Sequence, residues 1–225
     1  MSKFLIALLL CVSALGQTSV APNTTVATNT TLAYSSVISF VSSNSTGAAM
    51  NTTGATLLVV GCGAGTGSTG ASSSPSNTWT ATGATLNSDL NIYYAYAPTT
   101  STSQTFACVG GSSSVLGALA LKGTLTTSGV FDNRVLYGNG NSTFTLTATP
   151  AIAGEVGVVI AWNTDVSCDY VSLGGSPTWN TVTSNTTACW LMGYAINAAA
   201  GTFTANVDFG SDANLAVAMI ALFEP

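Results

Sequence analysis

The sequence has no histidine, and only 11 of its 225 residues are charged, three basic and eight acidic. Ordinary soluble domains are about 25% charged; this chain is 5% charged and draws its polarity from Ser, Thr, Asn and Gly. Each shortage excludes something. Without histidine there is no Ser-His or Cys-His catalysis and no His-based metal site. Three basic residues cannot neutralise a run of phosphates, so nucleic acid is not the partner. Disorder is excluded as well, because disordered chains pair low hydrophobicity with high net charge, whereas 47% of these residues are apolar and the mean hydropathy is +0.47. Long apolar runs are also missing. After residue 16 the longest, Leu215 to Phe223, has 9 residues, against about 20 for a spanning helix.

Residues 1–16, MSKFLIALLLCVSALG, place one Lys before a short apolar stretch and small residues. That order predicts a secretory signal peptide cut before Gln17, with Ala14 and Gly16 at the −3 and −1 positions. The mature protein is expected to be secreted, with Lys122 and Arg134 as its only basic side chains. A transmembrane β-barrel is disfavoured, since its strands alternate over about 10 residues while 57-LLVV-60 and 156-VGVVIAW-162 are solidly apolar.

What fills the chain is strand material. Thr, Val and aromatic residues form short runs separated by Gly, Ser, Asn and Pro, the mark of an all-β protein. The segment 143-TFTLTAT-149 alternates cleanly, which predicts a half-buried strand with a wet Thr face. The runs also repeat. 54-GATLLVVG-61 matches 154-GEVGVVIA-161, 77-NTWTAT-82 matches 177-PTWNTV-182, 94-YAYAP-98 matches 192-MGYAI-196, and 104-QTFAC-108 matches 201-GTFTA-205. Each half closes on an apolar strand, 115-VLGALALKG-123 or 215-LAVAMIALFEP-225. Units of about 100 residues with six or seven strands have the size of a β-sandwich. The expected organisation is two tandem related antiparallel β-sandwich units, 33–123 and 124–225, after the signal peptide and a flexible segment, 17–32.

The pattern GATLLVV…NTWT…IYYAYAP…QTF…LGALALKG, with a second half ending AMIALFEP, resembles a poorly characterised family of duplicated β-sandwich proteins. These jelly-roll or immunoglobulin-like proteins occur among secreted bacterial proteins and phage or prophage surface proteins. The resemblance covers roughly residues 33–225. It implies fold, secretion and a surface role; it implies no reaction and assigns no site residues.

Four cysteines remain after the signal peptide: Cys62, Cys108, Cys168 and Cys189. In a secreted chain an even number suggests disulfides, with three connectivities possible. The repeat gives a preference. Cys62 and Cys108 align with Trp162 and Ala205, a large and a small residue that would fill the same space as a bridge, so Cys62 is paired with Cys108. Cys168 is then paired with Cys189 across a hairpin. A zinc site would need closely spaced Cys pairs or His.

Trp79 and Trp179 hold equivalent places and read either as sugar-stacking platforms or as core residues, with repetition favouring the core. In 92-IYYAYAP-98, Ile92, Tyr94 and Tyr96 share one face and Tyr93 takes the other. Tyr96 aligns with Tyr194 and is read as structural, which leaves Tyr93 as the best exposed aromatic. Asp165 and Asp169 are weak calcium candidates, since calcium takes hard oxygen ligands. The Gly-rich stretch 61-GCGAGTGSTG-70 lacks the Lys of a phosphate loop and is read as a flexible surface loop.

The function expected from these residues is a non-enzymatic extracellular structural or adhesive protein: a coat, a fibre subunit or a virion-associated decoration. It would need no cofactor, and its partner would be itself or a surface glycan or protein. The alternative is a carbohydrate-binding module using exposed Tyr or Trp with loop Asp and Asn. A secreted glycoside hydrolase, which needs two carboxyls about 5–10 Å apart, comes third.

Overall fold

Residues 39–44, 48–63, 67–83, 90–112, 114–123, 131–138, 142–163, 168–197, 199, 201–210 and 216–225 are described by the computed structural model. The expected signal peptide, the segment 17–32, most of the boundary region after Gly123, and Asp165 lie outside them. Among the described residues there is no helix, and all the regular structure is strand.

In the first half the strands are β1 (Ser39–Asn44), β2 (Leu57–Gly63), β3 (Gly70–Ser74), β4 (Thr80–Ala81), β5 (Asn91–Tyr96), β6 (Thr105–Val109) and β7 (Ser114–Lys122). The second half supplies β8 (Phe131–Gly138), β9 (Thr143–Ala148), β10 (Val156–Asn163), β11 (Ser172–Ser176), β12 (Asn180–Asn185), β13 (Trp190–Ile196), β14 (Phe203–Asp208) and β15 (Ala216–Phe223).

All strand pairs are antiparallel. One five-stranded sheet runs β1-β7-β2-β5-β4, and the other runs β8-β15-β10-β13-β12. These orders correspond strand for strand, so the repeat visible in the sequence is also a repeat of topology. A two-stranded sheet, β3-β6, and a three-stranded sheet, β11-β14-β9, complete the halves. A single bridge, Met50 to Gln104, stands where the second half has the pairing of β9 with β14.

Ladder positions fix the register between halves. The Ala97 amide donates to the Thr56 carbonyl and the Asn197 amide donates to the Glu155 carbonyl, both at 3.0 Å. Thr56 and Glu155 are therefore counterparts, and Leu57 follows one as Val156 follows the other. By the same ladders Tyr94 corresponds to Tyr194 and Tyr96 to Ile196.

The solidly apolar strands are explained by burial on both faces. Leu57 and Val59 of β2 join Val158, Ile160, Met192 and Met219 in one cluster, which lies between the two five-stranded sheets. Leu58, Val60 and Cys62, on the opposite face of β2, pack towards Phe106 of the two-stranded sheet. Val159 and Ala161 of β10 pack towards Phe144, Leu146, Ala205 and Val207 of the three-stranded sheet. The layers therefore run two strands, five, five and three. Each fully buried Leu or Ile contributes about 1.5–3 kcal/mol, and the two inner sheets consist largely of such residues. Residues Ser36–Pro225 form one compact unit.

The inner contact depends on a pair of glycines. Gly61 and Gly117 face each other across β2 and β7. A Cβ on Gly61 would lie 2.7 Å from Ile160 Cγ2, and one on Gly117 would lie 2.7 Å from Met192 Sδ. The first half thus presents a hollow, and the second half fills it with Ile160 and Met192. The counterparts of Gly61 and Gly117 are Ile160 and Met219, by the same ladders.

The outer strands follow the alternation rule. In β9, Phe144, Leu146 and Ala148 are buried while Thr143, Thr145 and Thr147 are exposed. Sequence patterning did not identify β3 (GASSS) or β11 (SLGGS), whose Gly and Ser carry little strand preference. The Gly-rich stretch read as a surface loop ends β2 at Gly63 and starts β3 at Gly70.

Candidate functional site

A disulfide joins Cys62 of β2 to Cys108 of β6, with Cα atoms 5.9 Å apart, tying the first inner sheet to its outer sheet. Register makes Ala161 and Val207 the counterparts of these cysteines, rather than Trp162 and Ala205; both pack in the cluster beneath the three-stranded sheet. Cys168 and Cys189 are buried thiols instead of a second bridge. Each Sγ donates to the Thr186 carbonyl at 3.4 Å.

The aromatic candidates do not form an open platform. Tyr93 is 2% exposed. Its hydroxyl donates to the Ser68 carbonyl at 3.0 Å, accepts from Asn91 Nδ2 at 3.2 Å and lies 3.2 Å from Ser68 Oγ. Its alternation places it on the core side facing the outer sheet, not on a wet face. Trp179 is buried, donates Nε1–H to the Thr204 carbonyl at 2.8 Å and sits edge-on to Phe203. Trp79 is half-buried and edge-on to Phe106 at 6.1 Å, and its buried Nε1 has no acceptor. The two tryptophans are packing residues with ring partners in their own halves.

The described carboxylates are dispersed, apart from one group. Glu155 is fully buried at the start of β10; Oε1 accepts from the Ile152 amide at 2.8 Å and Oε2 meets no donor. Burial is the main reason that its pKa rises from 4.5 to about 7, opposed by the Ile152 amide and reinforced by Asp132 and then Glu224. Asp132 itself accepts from the Ala151 amide at 3.1 Å. Asp208 is held below the usual carboxylate range by the Gly210 amide and then by the Tyr170 hydroxyl. Asp169 is exposed. Among the described residues, no group of three or more acidic or cysteine side chains is arranged to hold a metal ion.

Two clefts remain. One, of about 420 Å³, is lined by Phe106, Ala107, Cys108, Ser114 and Val115 of the first half and Asn185 and Trp190 of the second. The other, of about 270 Å³, is lined by Ser76, Asn77, Thr78, Tyr96, Ala97 and Thr99. No charged residue lines either one among the described residues. Tyr96, 39% exposed, was hidden from sequence reasoning by a misalignment of two residues. Aligning Tyr94 with Tyr194, at the offset of the two tryptophans, would have separated the packed tyrosine from the exposed one. Tyr94 packs against Phe131 and Phe223.

No family model, curated protein or solved structure matches this chain.

Proposed function

We propose that the protein is a non-enzymatic extracellular structural or adhesive surface protein, built as two related β-sandwich units joined through their inner sheets. The observation that carries this reading is the outer face of the three-stranded sheet. There, exposed Thr, Asn and Asp side chains are tied across strands: Thr143 Oγ1 donates to Asp208 Oδ1 at 3.0 Å and Thr145 Oγ1 to Asn206 Oδ1 at 2.8 Å. Such a surface offers hydroxyl and amide groups with little charge, so salt has little to screen. The Cys62–Cys108 bridge suits an oxidising compartment. The resemblance to duplicated sandwich proteins of bacterial and phage surfaces points the same way.

The test is assembly of the purified mature protein, followed by light scattering and electron microscopy over a range of concentrations and salt. Ordered oligomers or fibres that persist in high salt are the expected result. A strictly monomeric protein that also fails to adhere to bacterial surfaces, or one that cleaves polysaccharides, overturns the reading.

A further inference from the structure

At one spot the two halves differ in a way that builds a pocket. After Ser176–Pro177 the second half proceeds directly to Thr178 and Trp179, whereas after Ser74–Pro75 the first half inserts Ser76 and Asn77 before Thr78 and Trp79. In the same region the first half ends β5 with Tyr96 where the second half has Ile196. The inserted pair and the substituted tyrosine line one cleft, the polar one of about 270 Å³.

Its walls are preformed. Asn77 spends its amide on the protein: Nδ2 donates to Ser73 Oγ at 3.1 Å and to the Thr99 carbonyl at 3.1 Å, and Oδ1 accepts from the Thr99 amide at 2.7 Å. This fastens the 75–78 loop to the 97–99 loop. Ala97 turns the chain with φ +45° while its amide is held by Thr56. The hydroxyls of Ser76, Thr78 and Tyr96 have no hydrogen-bond partner among the described residues. An exposed ring beside unspent hydroxyls on a fixed frame leaves little ordering cost for a ligand to meet.

We infer that this cleft binds one residue of a neutral saccharide, a hexopyranose whose hydroxyls bond those of Ser76, Thr78 and Tyr96. A sugar ring carries a rim of uncharged donors and acceptors, which matches a lining of hydroxyls and amides. A charged ligand would find no countercharge there. The volume lies below the roughly 300–1,000 Å³ of most ligand pockets, so the cleft takes a single ring. One ring with few contacts corresponds to a dissociation constant in about the millimolar range. The inference is independent of whether the protein assembles.

Saturation-transfer NMR on the intact disulfide-bonded protein tests it, using methyl glycosides of glucose, galactose and mannose, N-acetylglucosamine, and the charged sugars glucuronate and glucosamine. The expected result is transfer to ring C–H protons of at least one neutral sugar and little to the charged ones. Tyr96→Ile, which installs the second half's residue, should weaken the transfer by about tenfold with the melting temperature unchanged. Deletion of Ser76 and Asn77 should weaken the transfer as well, with a lower melting temperature because the ties of Asn77 to Ser73 and Thr99 go with it. Ser76→Ala, which leaves the Asn77 frame intact, should weaken the transfer by a smaller factor. No transfer from any neutral sugar at tens of millimolar overturns the inference. So does transfer that survives Tyr96→Ile, or a preference for the charged sugars.

Discussion

The two halves share a strand order and differ where they meet solvent and each other. The first half has a hollow at Gly61 and Gly117; the second has the knobs, Ile160 and Met192, that fill it. Cys62 and Cys108 are bridged in one half, and Ala161 with Val207 simply pack in the other. Thr56, with Oγ1 donating to the Gly123 carbonyl at 3.0 Å, has as its counterpart a buried Glu155. The halves share a topology, and their differences make them complementary. Two first halves would face each other across an empty space, and two second halves would collide.

The comparison can be broken, beginning with the largest expected effect. Replacing both Cys62 and Cys108 by Ala opens a loop whose ends are 46 residues apart, worth about 4 kcal/mol in the chain-entropy account. Urea unfolding should show that loss, and Cys62→Ala with Cys108→Val, the second half's own solution, should lose less. Next comes acidity. Glu155 has a folded-state pKa raised to about 7 from 4.5, so the folded state holds a proton that the unfolded state has already released. Stability should therefore fall as pH rises from about 4.5 to about 7 and then level off, by at most about 3 kcal/mol. Glu155→Gln should flatten that profile in thermal melts, apart from a smaller slope of the same sign from Glu224, whose pKa is also raised.

Gly61→Ala sharpens the comparison at the inner contact. Its new methyl would meet Ile160 Cγ2 at 2.7 Å, an overpacking that costs about 1–3 kcal/mol. Adding Ile160→Ala should cost less than the sum of the single changes, because the two positions share one space. The smallest effect separates the tryptophans. Trp179→Phe removes the bond from Nε1 to the Thr204 carbonyl and should cost about 1 kcal/mol. Trp79→Phe removes an indole N–H that has no acceptor, and denaturant midpoints should move by less for it.

The strand content and the repeat could be read in the sequence because each leaves a local mark, Thr-x-Thr alternation and paired Thr-Trp motifs. The first disulfide joins the expected cysteines, although their counterparts are Ala161 and Val207 rather than the Trp162 and Ala205 that the sequence alignment offers. The layering was harder to read. A strand in a simple sandwich has one wet face and alternates, yet 57-LLVV-60 and 215-LAVAMIALF-223 do not. Those runs already recorded a covering sheet on each side. The strands β3 and β11 went unseen because Gly and Ser pair through their backbones, to which side-chain propensity is blind. The polar cleft is hidden for another reason: repetition in a sequence implies a packing role, and the motif match sets the exposed Tyr96 against Tyr194, whose ladder counterpart is Tyr94.

The burial of both inner sheets on two faces has a consequence for how the molecule opens. Amides along β2, β7, β10 and β15 are paired in the middle of their sheets and roofed by outer strands. Solvent deuterium can reach them only when a whole layer lifts away or the chain unfolds. The outer ladders, β3 with β6 and β11 with β14 and β9, have a wet side and exchange through small local openings. Labelling would thus mark the molecule in bands, slow at the centre and fast at the rims, and the slow bands would report the free energy of the joined pair rather than of either half.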